Sequence, residues 1–235
     1  MENVYLALDF PSGTVAKQFI EINELHGVPI KIGMELFYRE GPEIVEYFKN
    51  NNHPIFLDLK LYDIPNTVKR AMHNLAKLNI DIVNVHALGG QDMIAAAKEG
   101  LLTGSSSKDT PKLIAVTILT SFAEPTLQKQ LKIKEPLEDY ATHLAKLSQQ
   151  SGADGVVCSV HESKAIKDVC GNEFLTITPG IRLSDSDADD QHRIATPQYA
   201  KEKGSNIIVI GRTVTQAKNP RLAYEQVMKE WSTNE

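Results

Sequence analysis

Asp58, Lys60 and Asp63 are the residues of this chain whose types and spacing are best suited to chemistry. They stand in the run Phe56-Leu57-Asp58-Leu59-Lys60-Leu61-Tyr62-Asp63-Ile64-Pro65-Asn66-Thr67, which reads as a β-strand that ends in charge. Side chains alternate faces along a strand, so Ile55, Leu57, Leu59 and Leu61 share one face, and Phe56, Asp58 and Lys60 share the other. Opposite charges on so apolar a strand must be paired to survive burial. Asp63 follows one turn later, where Pro65 forbids the strand from continuing in a central position. A structural ion pair accounts for Asp58 and Lys60 taken alone. The third charge and the abrupt Ile64-Pro65-Asn66-Thr67 turn favour a site. A lysine flanked by carboxylates keeps its proton and is suited to stabilising negative charge as it develops.

Elements must hold these groups in place, and the period of the sequence supplies them. Short β-rich runs near residues 4–9, 29–33, 55–60, 81–87, 112–119, 154–159, 174–179 and 206–211 alternate with segments of helical spacing. Val68, Ala71, Met72, Leu75 and Ala76 form one such segment, and Leu137, Tyr140, Ala141, Leu144 and Leu147 another. The last helix opens with Asn219-Pro220, an N-cap followed by proline at the first helical position. Eight strand–helix units in 235 residues predict an α/β fold of the (β/α)8 TIM-barrel type, a single domain over 1–235. The competing doubly wound sheet normally carries a glycine-rich phosphate fingerprint after its first strand, and Asp9-Phe10-Pro11-Ser12-Gly13 does not fit one.

In a TIM barrel the active site sits at the C-terminal ends of the strands. Polar residues fall at all eight predicted ends: Asp9, Lys31, Asp58 with Lys60, His86, Thr120 with Ser121, Ser159, Pro179-Gly180-Ile181-Arg182, and Gly211-Arg212. Glycine and arginine at the last end suit a phosphate, with Arg182 and Gln191 able to close over the same group. Residues 121–135 and 182–195 are long for βα loops and read as functional cover. The run Gly104-Ser105-Ser106-Ser107-Lys108-Asp109 reads as a solvated connector on the opposite face.

Other features carry less. The acidic run Asp185–Asp190 lacks the glycine and the glutamate of a calcium loop. Seven histidines show no ligand pattern, and His86 reads either as catalytic or as a hydrogen-bonded structural residue. Cys158 and Cys170 match neither a disulfide framework nor a metal spacing, and Cys158 reads as core. A net charge of −5 without a basic stripe argues against nucleic-acid binding. No apolar run is long enough to span a membrane, and the chain enters a strand at once, so no signal peptide is expected. A reduced, soluble, cytoplasmic protein is the expectation.

The chain resembles the orotidine 5′-phosphate decarboxylases of the compact stand-alone bacterial type, along essentially its whole length. The resemblance rests on Leu8-Asp9-Phe10, Lys31-Ile32-Gly33-Met34-Glu35, the Asp58 to Thr67 block, Thr120-Ser121, Pro179-Gly180-Ile181-Arg182, Gln191 and Gly211-Arg212. Tyr62 stands where histidine is more usual, at a position outside the family's catalytic groups. The resemblance implies conversion of orotidine 5′-monophosphate to UMP with neither metal nor organic cofactor. It implies an array of Lys31, Asp58, Lys60 and Asp63, with Asp63 and Thr67 contributed by the partner subunit of a homodimer. Asp9 and Lys31 would hold ribose hydroxyls, and Thr120 or Ser121 the pyrimidine. Arg182, Gln191, Gly211 and Arg212 would line the phosphate side, and Pro179 would be a further substrate-binding residue. Two other readings remain: a Mg²⁺-dependent sugar-phosphate lyase of the same suprafamily, and a non-catalytic nucleotide-phosphate sensor on the same barrel.

Overall fold

The strand-rich runs close into a barrel in the computed structural model, which describes residues 3–106, 110–183 and 195–232. Its strands are β1 (Val4–Ala7), β2 (Ile30–Gly33), β3 (Ile55–Leu61), β4 (Ile82–His86), β5 (Lys112–Val116), β6 (Gly155–Val157), β7 (Leu175–Thr178) and β8 (Ile207–Ile210). All pair in parallel in chain order, and β8 returns to β1. Between strands lie α1 (Gly13–Ile22), α2 (Met34–Glu40), α3 (Pro42–Asn50), α4 (Pro65–Ala76), α5 (Gly90–Gly104), α6 (Leu137–Gln150), α7 (Val160–Cys170) and α8 (Pro197–Glu202), and α9 (Arg212–Thr215) and α10 (Pro220–Ser232) follow β8. Fold and element order agree with the expectation from the sequence. Gln191 and the acidic run 185–190 lie outside the described residues.

Local chemistry starts the helices where the sequence places them. Asn219 Oδ1 accepts from the Leu222 N–H (3.1 Å) ahead of Pro220, and Thr196 Oγ1 accepts from Tyr199 N–H (3.2 Å) ahead of Pro197. Proline opens α4 directly after Ile64, so strand β3 and helix α4 are joined by a turn that has no room to wander. Gly100 lets α5 lie close against α4, because a methyl there would come within 2.2 Å of the Lys69 carbonyl oxygen.

Alternation along the strands separates two apolar layers. Leu6, Ile32, Leu57, Val83, Val85 and their like face the helices. Tyr5, Ala7, Phe56, Ile82, Ile114, Ile177, Ile207 and Val209 fill the barrel interior, with Tyr5 and Phe56 edge to face. This interior plug is the floor on which the polar strand ends stand.

The N-terminal face of the barrel is fastened by a recurring device. Asp81, just before β4, accepts from the Ile55 N–H of β3 (2.7 Å) and from Lys49 of α3 (3.0 Å). Asp154, just before β6, accepts from the Leu113 N–H of β5 (2.8 Å) and from Lys98 of α5 (2.6 Å). Asn206, just before β8, accepts from the Thr176 N–H of β7 (2.9 Å) and from Lys167 of α7 (2.5 Å). Each side-chain oxygen satisfies a strand-opening amide and ties a helix to the next strand, which a buried backbone donor requires. Asp154→Ala is expected to lower unfolding free energy by about 1–3 kcal/mol, the cost of stranding such a donor. Urea denaturation checks this.

Candidate active site

At the C-terminal ends of the strands opens a cleft of about 480 Å³, a size suited to a small ligand. Its floor is Ala7, Phe56, Val116, Val157 and Val209, and its polar wall includes Asp9, Lys31, Asp58 and Lys60. These four form a chain of alternating charge. Lys31 Nζ lies 3.0 Å from Asp9 Oδ1 and 3.3 Å from Asp58 Oδ2, and Lys60 Nζ lies 2.6 Å from Asp58 Oδ1. The parity read from the sequence therefore holds, with Asp58 and Lys60 on the inner face above Phe56.

Parity survives an irregularity. Leu57 is level with Val83 and Leu61 with Val85, so four steps along β3 match two along β4. A shift of one residue would exchange the faces; a shift of two restores them. Within the surplus, Lys60 adopts φ 50°. Asn84, fully buried on β4, meets this stretch at two points: its Oδ1 accepts from the Lys60 N–H (2.7 Å) and its Nδ2 donates to Asp58 Oδ1 (2.7 Å).

Burial works against the charge on Lys31, but Asp58 and Asp9 outweigh it and hold its pKa above the ordinary lysine value. Burial likewise disfavours the Asp58 anion, yet Lys31 and then Lys60, with hydrogen bonds from Lys60 and Asn84, hold its pKa below the usual 3.8. A pair of unit charges 4 Å apart is worth about 4 kcal/mol at an effective dielectric of 20, so two ammoniums offset the several kcal/mol lost on burying one carboxylate. Gly33 belongs to the same arrangement, since a methyl group there would stand 3.1 Å from Asp9 Oδ1 and 3.2 Å from Lys31 Nζ.

The other predicted residues separate into groups. Thr120, Ser121, Pro179, Arg182, Gly211 and Arg212 all line the cleft. Arg182 is buried and donates to the Ile181 carbonyl (3.0 Å), while the neck of its loop is fastened by Arg182 N–H to Ala195 O (2.9 Å) and Ala195 N–H to Gly180 O (3.1 Å). The 121–135 segment contains a helical turn over Thr126–Gln130, anchored by the fully buried Leu127 and by Glu124, which accepts from the Leu137 N–H (2.7 Å). Asp63 and Thr67 are exposed and do not line the cleft of their own chain. His86 and Ser159 also lie outside its lining. Ser159 caps α7 in a capping box with Glu162, which accounts for its place after an apolar strand by the start of a helix. Burial, then Lys60, pushes His86 below the usual histidine range.

Met34 and Glu35 of the lining, and the buried Asn84 that contacts Lys60 and Asp58, are among the residues that reasoning from strand ends overlooked. Asn84 was legible as a polar residue between Ile82 and His86 on the inward face of a buried strand. Its register against β3 was not.

Barrel, cleft and charged chain define a (β/α)8-barrel enzyme whose site is built at the C-terminal strand ends. The chain belongs to the Orotidine 5'-phosphate decarboxylase / HUMPS family, whose model matches residues 2–227. The orotidine 5'-phosphate decarboxylase of Bacillus mycoides is 52% identical over 231 residues, spanning 98% of this chain and 97% of that protein; that of Bacillus cytotoxicus is 51% identical over the same shares. Among solved structures, orotidine 5'-phosphate decarboxylase from Lactobacillus acidophilus superposes with a TM-score of 0.86 at 41% identity, covering 99% of this chain and all of that one. An uncharacterized conserved protein from Geobacillus kaustophilus gives the same TM-score at 44% identity, covering 97% of this chain and 100% of that one. Among the described residues, no helix is long and apolar enough to cross a membrane.

Because folding lowers the pKa of Asp58, its stabilising contribution is fully present above the unfolded value, near 3.8, and is lost as pH falls through the folded value. Wild type should therefore lose more stability on acidification below about pH 4 than Asp58→Asn, whose amide does not titrate. Thermal melts of the two proteins across that range check the sign.

Proposed function

We infer that the chain decarboxylates orotidine 5′-monophosphate to UMP, the last step of de novo pyrimidine nucleotide biosynthesis, with no metal and no organic cofactor. The observation that carries the reading is the Asp9–Lys31–Asp58–Lys60 chain, which holds the Lys60 ammonium 2.6 Å from Asp58 at the wall of the cleft. In this reaction the bond between C6 and the carboxylate carbon breaks, CO2 departs, and the electron pair stays on C6 in the plane of the ring. The pyrimidine π system cannot delocalise that pair, so the barrier must fall through electrostatics and positioning. Lys60 is the cation that stabilises the developing charge and donates its proton to C6, then recovers one from solvent. Asp58 faces the departing carboxylate, and loss of CO2 relieves that repulsion.

The remaining lining residues divide the substrate among them. Asp9 and Lys31 hold the ribose hydroxyls; Thr120 or Ser121 holds the pyrimidine; Arg182, Gln191, Gly211 and Arg212 take the phosphate, and Pro179 is a further substrate contact in the same lining. Phosphate binding far from C6 supplies energy for fixing the charged array. Asp63 and Thr67 act in the site of a partner subunit. Support comes from their position: residues 62–67 are exposed without interruption, and Tyr62 (63% exposed) and Ile64 (68%) put large apolar surface beside them. A single domain over 1–235 and a cytoplasmic location fit a step that acts on a free nucleotide.

The Mg²⁺-dependent alternative places a metal-ligating glutamate at about the position of Lys31. Here that position holds an ammonium in contact with both Asp9 and Asp58, a setting that repels a divalent cation and already compensates the carboxylates. A sensor would need the phosphate side but has no use for the charged chain.

Absorbance assays on EDTA-treated protein should show conversion of orotidine 5′-monophosphate to UMP, and Lys60→Ala should lower kcat by at least about 1,000-fold, the combined scale of proton donation and charge stabilisation. Near-normal turnover by Lys60→Ala would remove the assigned role of Lys60; turnover that depends on added Mg²⁺ would favour the lyase reading. Subunit complementation tests the shared site. Asp63→Ala and Lys60→Ala proteins, each nearly inactive alone, should recover activity when mixed and allowed to exchange subunits, because one site of each hybrid is then intact.

A further inference from the structure

Strand β3 uses two more residues than β4 to reach the cleft, and the surplus falls between Leu57 and Leu61. Such a bulge interrupts the interstrand ladder, and Lys60 within it has φ 50°. A non-glycine residue holds a left-handed backbone only where its surroundings impose it. At this bulge the surroundings include one buried side chain, Asn84, whose Oδ1 takes the Lys60 N–H at 2.7 Å and whose Nδ2 reaches Asp58 Oδ1 at 2.7 Å. Asp58 Oδ1 is also the oxygen that the Lys60 ammonium meets at 2.6 Å. One amide group therefore fixes the backbone from which the lysine departs and the carboxylate against which its head rests.

We propose that Asn84 is the positioning residue of the proton-donating lysine, setting the bulge and the Asp58 carboxylate together so that the Lys60 ammonium is aimed into the cleft. The proposal rests on the reading of Lys60 as the donor to C6. The residue type follows from the partners. A backbone N–H can only donate and an ionised carboxylate can only accept, so the group between them must accept at one end and donate at the other. Asparagine does both at this length. Leucine, of similar size, does neither and strands a buried donor. Ionised aspartate accepts from the Lys60 N–H but turns a second negative charge towards Asp58; protonated aspartate restores both bonds. The charged or titratable groups around this point are Asp58 and Lys60 from β3, Lys31 from β2 with Asp9 behind it, and His86 from β4 itself. On the β5 side the register partner is Ile114, which is apolar.

The test compares wild type, Asn84→Leu, Asn84→Asp and Lys60→Ala for kcat and KM on orotidine 5′-monophosphate, for the dissociation constant of UMP, and for melting temperature at each pH. Misplacing a catalytic group by about 1 Å costs on the order of 100-fold in rate, so Asn84→Leu should lose kcat on that scale. KM and UMP affinity should stay within about threefold, the pattern of a loss confined to the transition state. For Asn84→Asp, the ratio of its kcat to that of wild type should rise as pH is lowered and the new carboxyl takes up its proton, at constant folded fraction. A purely structural role predicts instead that kcat and UMP affinity fall together, or that the ratio simply follows melting temperature; either result overturns the proposal, as does kcat within about threefold of wild type. Should Asn84→Leu fail to fold, the pH dependence of Asn84→Asp decides. If Lys60→Ala abolishes turnover while the Asn84 variants retain it, only the role of Asn84 fails. If Lys60→Ala retains turnover, the reading of Lys60 fails and this proposal falls with it.

Discussion

Asp58 is an anion taken largely out of water, with a side chain 13% exposed, and the cleft is arranged around the need to compensate it. Left alone, such a group would take up a proton and lose its charge. Lys31 and Lys60 approach it from β2 and from its own strand, and each lysine is in turn held by the carboxylate it serves. Lys31 reaches further, to Asp9 just past the end of β1, so three neighbouring strands or their ends are joined through charge above an apolar floor. A carboxylate and an ammonium held in contact before substrate arrives need no reorganisation when charge develops, which is the condition under which electrostatic catalysis is strongest.

Holding that array has a structural cost that the rest of the barrel carries. The bulge in β3 disturbs the ladder to β4, and Lys60 sits in a backbone conformation that costs on the order of 1–3 kcal/mol. The opposite face is built for stability: Asp81, Asp154 and Asn206 each join a strand-opening amide to a lysine from the preceding helix. Binding surface and fastening surface are thus kept at opposite ends of the strands, and the apolar plug of Tyr5, Phe56, Ile82 and Ile114 separates them.

The barrel was legible because each strand and helix carries its own period, and eight alternations at this length leave few closed arrangements. Asp58 and Lys60 were legible because parity along a strand survives a two-residue surplus. The bulge itself was not, since nothing in Leu57-Asp58-Leu59-Lys60-Leu61 distinguishes a regular strand from one that slips against its neighbour; register is a property of the pair. Asn84 escaped for the same reason: its importance lies in which residues of β3 stand opposite it. Ser159 shows the reverse ambiguity, a polar residue after an apolar run that signals a helix cap as readily as a site. Asp63 and Thr67 stand apart from the cleft of their own chain, and their assignment came from family resemblance.

Two lysines keep Asp58 ionised inside the cleft. Carbon-13 NMR of the labelled Asp58 carboxylate, assigned with Asp58→Asn and followed during acid titration, measures this directly. The midpoint should lie below the ordinary aspartate value of 3.8 and move upward when Lys31 is replaced by methionine. A midpoint at or above the ordinary value in the wild-type protein would mean that burial outweighs the two ammoniums, and would contradict the account.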